Sequence, residues 1–199
     1  MKKRKYLLAA IALLLIFGIG STIAYLTDTE SETNTFTLGG VDITLTEPGW
    51  VAANGQNIVP GQTITKDPTI KNVSATNPAY VFAKVEVPCT TTTNPAAREI
   101  FTYTVNSSWT ELPGRAVACT SGKATHIYYY GTGGSLTSLA SNTTAPALFP
   151  SVTLVRDLTD AEVTNLGTTG KDMVVTGYGI QTDGLASSAP DTVYGYFGA

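Results

Sequence analysis

The stretch YVFAKVEV, residues 80–87, alternates strictly, and its reading decides the fold. Val81, Ala83, Val85 and Val87 share one face, and Tyr80, Phe82, Lys84 and Glu86 share the other. A period of two with β-branched and aromatic residues is the signature of a strand with a buried face. The same pattern recurs in VDITLT (41–46), IFTYTV (100–105), THIYYY (125–130), SVTLVR (151–156) and DMVVTGYGIQ (172–181). In VDITLT it places Val41, Ile43 and Leu45 together. Short strands separated by turn residues predict an all-β fold, a sandwich or barrel.

Turn chemistry supports this. Pro60-Gly61 launches QTITKDPTIKNV, and Pro68 inside that run predicts an edge position or a bulge, because proline cannot donate to a ladder. Residues 131–150 (GTGGSLTSLASNTTAPALFP) read as a long loop of small and polar residues. LTDAEVTNLG (158–167) predicts one short connecting helix, with Thr159 and Glu162 at capping-box spacing and Gly167 as its stop. The C-terminal Tyr194, Tyr196 and Phe197 read as a last piece of sheet.

The N-terminus has three zones. Lys2, Lys3, Arg4 and Lys5 precede the apolar run 6–20, and STIA follows with small residues at Thr22 and Ala24. That is the order of a secretory signal peptide, cut between Ala24 and Tyr25. Fifteen helical residues span about 22 Å, short of a ~30 Å hydrocarbon core. Extended through Leu26, the run would serve as an uncleaved anchor instead. The chain is thus expected to comprise a signal peptide (1–24), an arm (25–36) and a β-sandwich domain (37–199).

Removing the first 24 residues leaves 8 Lys and Arg against 15 Asp and Glu, a net charge of −7. Such a chain has no electrostatic footprint for nucleic acid or anionic lipid, and meets the membrane only as the uncleaved precursor. Cys89 and Cys119 are the only cysteines, and an exported chain could join them or leave two free thiols.

No catalytic motif emerges. A metalloprotease site draws on two or three histidines with a nearby glutamate, and His126 is the only histidine here. There is no HExxH and no GxSxG elbow. Asp157, Asp160 and Glu162 lack the spacing of a calcium loop, and GTGG (131–134) lacks the Lys-Ser/Thr of a phosphate cradle. Tyr128–Tyr130 and Trp109 are the candidates for a sugar-stacking face, though strand packing also accounts for them. The expectation is no enzyme, no metal and no cofactor.

Residues 27–35 contain no apolar side chain, yet are rich in threonine and free of proline and glycine. Such an arm either stays apart, pairs within its own domain, or adds as a strand to another subunit's sheet edge. Tyr25, Leu26 and Phe36 would be its anchors.

Three blocks resemble the TasA/camelysin family of exported biofilm-matrix proteins, most closely the clostridial-type matrix proteins. The first is KKRKYLLAAIALLLIFGIGSTIAYLTDTESETNTFTLGGVDITL, with Tyr25 and Asp28 as the aromatic-x-x-Asp and NTFTLGGVDI as the Thr-Phe…Gly…Asp block. The second is IVPGQTITKDPTIKNVSATNPAYVFAKVEV (58–87), and the third VTGYGIQTDGL (175–185). Residues 89–150 match no family pattern. The resemblance implies a jelly-roll sandwich, export through a dedicated type I signal peptidase, and location in the extracellular matrix or at the cell surface. It also implies head-to-tail polymerisation, with Tyr25, Leu26, Asp28, Phe36 and Leu38 in the donated strand. Other matrix components would be further partners. The alternatives are a carbohydrate-binding jelly roll and, since some members are called metalloendopeptidases, a secreted protease.

Overall fold

The computed structural model describes residues 40–90, 96–162 and 172–198. The expected cleavage site Ala24–Tyr25 and the arm residues Leu26, Asp28, Phe36 and Leu38 lie outside them. Eleven strands are present among the described residues, so the chain is all-β, as the alternation predicts.

The large sheet is built on β4 (Ala79–Pro88), flanked by β11 (Val174–Gln181) on one side and β8 (Lys123–Thr132) on the other. Beyond β8 come the short β6 (Trp109–Glu111), β7 (Val117–Thr120) and β9 (Ser135–Leu136), none of them anticipated from sequence. Runs of two to four residues are too brief to show a period.

The second layer joins two small sheets. β1 (Ile43–Thr46) pairs with β3 (Thr69–Asn72), while β10 (Ser151–Leu154) lies between β2 (Thr63–Thr65) and β5 (Phe101–Tyr103). Pro68 breaks the 63–72 run into β2 and β3. The segment leading into β10 follows β3: Ala145 N–H donates to Ile70 O and Leu148 N–H to Pro68 O, both at 2.9 Å.

The inner faces meet in a core where Val81, Val85 and Val87 are fully buried against Ile70, Ile100 and Phe149. Each such side chain removed from water contributes about 1.5–3 kcal/mol. Val41, Ile43 and Leu45 pack on this core from β1, on the face their alternation assigned.

Two expectations are corrected. Residues 131–150 are largely irregular, as a loop should be, but their few apolar side chains are in the core. Leu139, Ala145, Leu148 and Phe149 are core residues, and Trp109 Nε1 donates to Pro146 O at 2.8 Å. The segment is held beside β3 and β4 by backbone bridges, Thr144 opposite Lys71 and Leu139 opposite Ala79. The C-terminus is not sheet. Pro190–Gly195 form a helix, α1, with proline in its first turn, where the missing N–H costs nothing.

Helix α1 covers the outer face of the large sheet. Val193 and Tyr194 are buried against Phe82, Tyr129, Ile127 and Leu112, a second core. The Phe82 ring lies 5.5 Å from Tyr194 and 5.8 Å from Phe197. Arg115 ties the helix down through Asp191 at 2.7 Å and stands over the Tyr194 ring.

The expected capping box is present. Thr159 N–H donates to Glu162 Oε2 at 2.8 Å, Glu162 N–H returns to Thr159 Oγ1 at 3.2 Å, and residues 160–162 are helical. Residues 163–167 of that predicted helix lie outside the described residues.

Candidate functional site

β11 ends the large sheet, and among the described residues nothing pairs along its outer side. Its backbone parity follows from one bond. Thr182 N–H donates to Pro78 O at 3.2 Å, continuing the register in which Gln181 faces Ala79. In an antiparallel pair, hydrogen-bonded and non-hydrogen-bonded residues alternate. Even-numbered residues therefore bond to β4, and Val175, Gly177, Gly179 and Gln181 turn their N–H and C=O groups outward.

That edge carries none of the usual protection. Native edges are blunted by shortness, lysine or proline. VVTGYGIQ is eight residues long with no proline and no charge. Each of its residues retains some solvent exposure.

A pocket of about 360 Å³ lies at the start of this edge, where Met173 meets Trp50 and Ile58, with Ile64, Phe101 and Val152 of the core among its walls. Trp50, Val51, Val59 and Val174 are exposed apolar residues at the same end. Lys66 helps hold the Trp50 ring, 5.2 Å above it, and is itself bonded to Glu47 at 2.7 Å. Trp50 follows β1 by four residues, and Gly40 precedes it by three, so they lie at opposite ends of that strand.

The other sequence candidates fall into structural roles. Cys89 and Cys119 are joined in a disulfide with Cα atoms 5.9 Å apart. Asp157 and Glu162 both bind one guanidinium. Arg98 Nη1 reaches both Asp157 carboxylate oxygens at 3.0 Å, and Nε reaches Glu162 Oε1 at 3.0 Å. The hydrogen bond from Arg98, aided by Thr159, holds the Glu162 carboxyl at about 2. Tyr128, Tyr129 and Trp109 are buried, and Tyr130 is half-buried with its ring 5.5 Å from that of Trp109, so strand packing accounts for all four. Within GTGG, Gly131 and Thr132 end β8 and Gly133-Gly134 form the turn into β9, both at positive φ.

His126 sits on the inner face of β8, where Nδ1 lies 2.7 Å from Glu111 Oε1 and Nε2 2.9 Å from Glu99 Oε1. Sequence reading missed this trio because its members come from three separate segments. A catalytic metal takes its imidazole ligand through a free ring nitrogen. Both nitrogens of the chain's only histidine already face carboxylates. Among the described residues no group of three or more His, Cys, Asp or Glu is placed to hold a metal ion. The residues described do not fit a catalytic metal.

No curated protein and no solved structure matches the chain. A family profile described as camelysin metallo-endopeptidase matches residues 4–105, from the basic N-terminal cluster to the end of the IFTYTV run. With just over half of the sequence inside that match, the chain belongs to the camelysin metallo-endopeptidase family.

Proposed function

We propose that this chain is an exported structural subunit that polymerises by strand addition, residues 25–36 of one copy pairing along β11 of the next. The observation that carries the reading is the eight-residue, uncharged edge of β11, with four outward-facing backbone positions. Strand addition satisfies such groups through main-chain hydrogen bonds, while pockets beside the edge select side chains. The Trp50 pocket offers apolar walls with Asn57, Lys66 and Asp172 beside them, and Tyr25, Leu26 and Phe36 are the apolar residues bounding the Thr-rich arm. Gly40, the first described residue, lies at the opposite end of β1 from Trp50 and its pocket. A donor and an acceptor at opposite ends make a heterologous contact, which grows as a filament wherever its rotation does not close a ring.

Deleting residues 25–35 is the test. The truncated chain is expected to remain a folded monomer and to form no fibres by negative-stain microscopy. Fibres from the truncated chain would end the arm hypothesis. The family's description favours a second reading, metal-dependent peptide hydrolysis. Chelator-sensitive cleavage of casein by the purified chain would establish it and displace the structural one.

A further inference from the structure

The His126 trio spans the seam between the two layers. Glu99 leads into β5 of the small-sheet layer and is also bridged to Cys89 just past β4, with Ile100 N–H donating to Pro88 O at 3.0 Å, whereas Glu111 is on β6 and His126 on β8 of the large sheet. A second tie lies beside it, the Tyr103 hydroxyl of β5 meeting the Tyr128 hydroxyl of β8 at 3.0 Å. Tyr103 stands edge-on to the His126 ring, and Tyr128 is stacked with it. Opposite His126 on β4 is Val85, which carries no charge. The groups that face the imidazole are therefore two carboxylates and two phenols.

A neutral imidazole has one N–H donor and one bare nitrogen. A bare nitrogen set 2.7–2.9 Å from an ionised carboxylate oxygen would bring two acceptors together. Both contacts become hydrogen bonds only when both nitrogens carry protons. Burial opposes the charged ring, and the hydrogen bonds His126 donates to Glu111 and Glu99 outweigh it, so the His126 pKa lies above its usual value.

We propose that His126 is a proton-operated clasp whose imidazolium holds the β5 side of the sandwich to β6 and β8, and whose loss of a proton opens that seam. Opening widens the groove lined by Phe101, Tyr103, Val105 and Tyr128 and bares the outer edge of β5. The clasp does not depend on the assembly reading. It predicts a local opening of the subunit whether or not subunits polymerise.

The test uses the chain's single histidine, whose ring resonances are unambiguous by NMR in protein without a histidine tag. The ring is titrated from roughly pH 5.5 to 9, and hydrogen exchange of peptides covering residues 99–112 is followed over the same range, corrected for intrinsic rates. The expected result is a titration midpoint above 6.5 and a seam that opens with the same midpoint. Linkage sets the size: the opening constant rises about tenfold for each unit by which the midpoint exceeds 6.5. In His126→Gln the exchange should lose its pH dependence. Should that variant fail to fold, Glu111→Gln keeps an acceptor for Nδ1–H while removing a charge, and should lower the midpoint. A midpoint at or below 6.5, a seam whose exchange ignores pH in the parent chain, or an unmoved midpoint in Glu111→Gln would overturn the proposal.

Discussion

Gly179 lies under Ile43 so closely that a Cβ added to the glycine would stand 2.7 Å from Ile43 Cγ2 and 3.2 Å from Val41 Cγ1. β1 can rest on the inner face of β11 only because Gly177 and Gly179 leave that face bare. The contact seals one side of the sandwich with apolar groups, while the His126 and Tyr103–Tyr128 ties seal the other with polar ones. Gly179→Ala should therefore overpack the junction and destabilise the domain by about 1–3 kcal/mol. Chemical denaturation reads this directly, and an unchanged midpoint would contradict the packing described.

Acid should weaken the Arg98 junction in a defined window. Glu162 is held at about 2 in the folded chain against an ordinary 4.5, first by the Arg98 hydrogen bond and then by Thr159. A depressed carboxyl stabilises above its unfolded pKa, and that stability disappears as pH falls through the folded value. Melting temperature should accordingly fall between about pH 4.5 and 2. Glu162→Gln should flatten this part of the profile.

Reduction should destabilise the domain without changing its fold class. The Cys89–Cys119 bridge closes a loop with a sequence separation of 30, worth about 3–4 kcal/mol in the chain-entropy model. Denaturant midpoints with and without reductant, monitored by far-ultraviolet circular dichroism, would show a shift with the β signal retained below the transition. The bridge links the end of β4 to β7, elements that also meet through β8.

Alkali should act at the tyrosine pair. Burial is the main cause that lifts Tyr103 and Tyr128, the latter to about 12. A raised phenol stabilises below its unfolded pKa of 10.0 and loses that contribution as pH climbs through the folded value. Ultraviolet titration should show Tyr103 and Tyr128 among the tyrosines that ionise late, together with Tyr194, which burial also raises, and Tyr103→Phe should leave Tyr128 without its partner hydroxyl.

Blocking the outer edge of β11 should stop assembly. Val175 turns its N–H outward, so Val175→Pro removes an edge donor while sparing the ladder to β4. Trp50→Ala empties one wall of the neighbouring pocket. Both variants should remain monomeric by light scattering under conditions where the parent chain forms fibres. Normal fibres from both would argue that a different edge accepts the arm.

The sequence by itself determined the strands that alternate over six or more residues, because a period of two assigns each side chain a face without knowing its partner. It also determined the capping box at Thr159 and Glu162, since that bond is made within one turn. Only the tertiary structure decided the rest. The short β6, β7 and β9 lie in stretches with no alternation to mark them, and α1, with the Phe197 that follows it, joins an aromatic layer begun by Phe82. Leu139, Ala145, Leu148 and Phe149 became core because β3 and β4 supply the surface that buries them. The His126 trio joins residues 99, 111 and 126, and the contact between Gly179 and Ile43 joins residues 136 positions apart. Such relationships depend on which strand lies opposite which, a quantity set by the packing of whole sheets and absent from any local window of sequence.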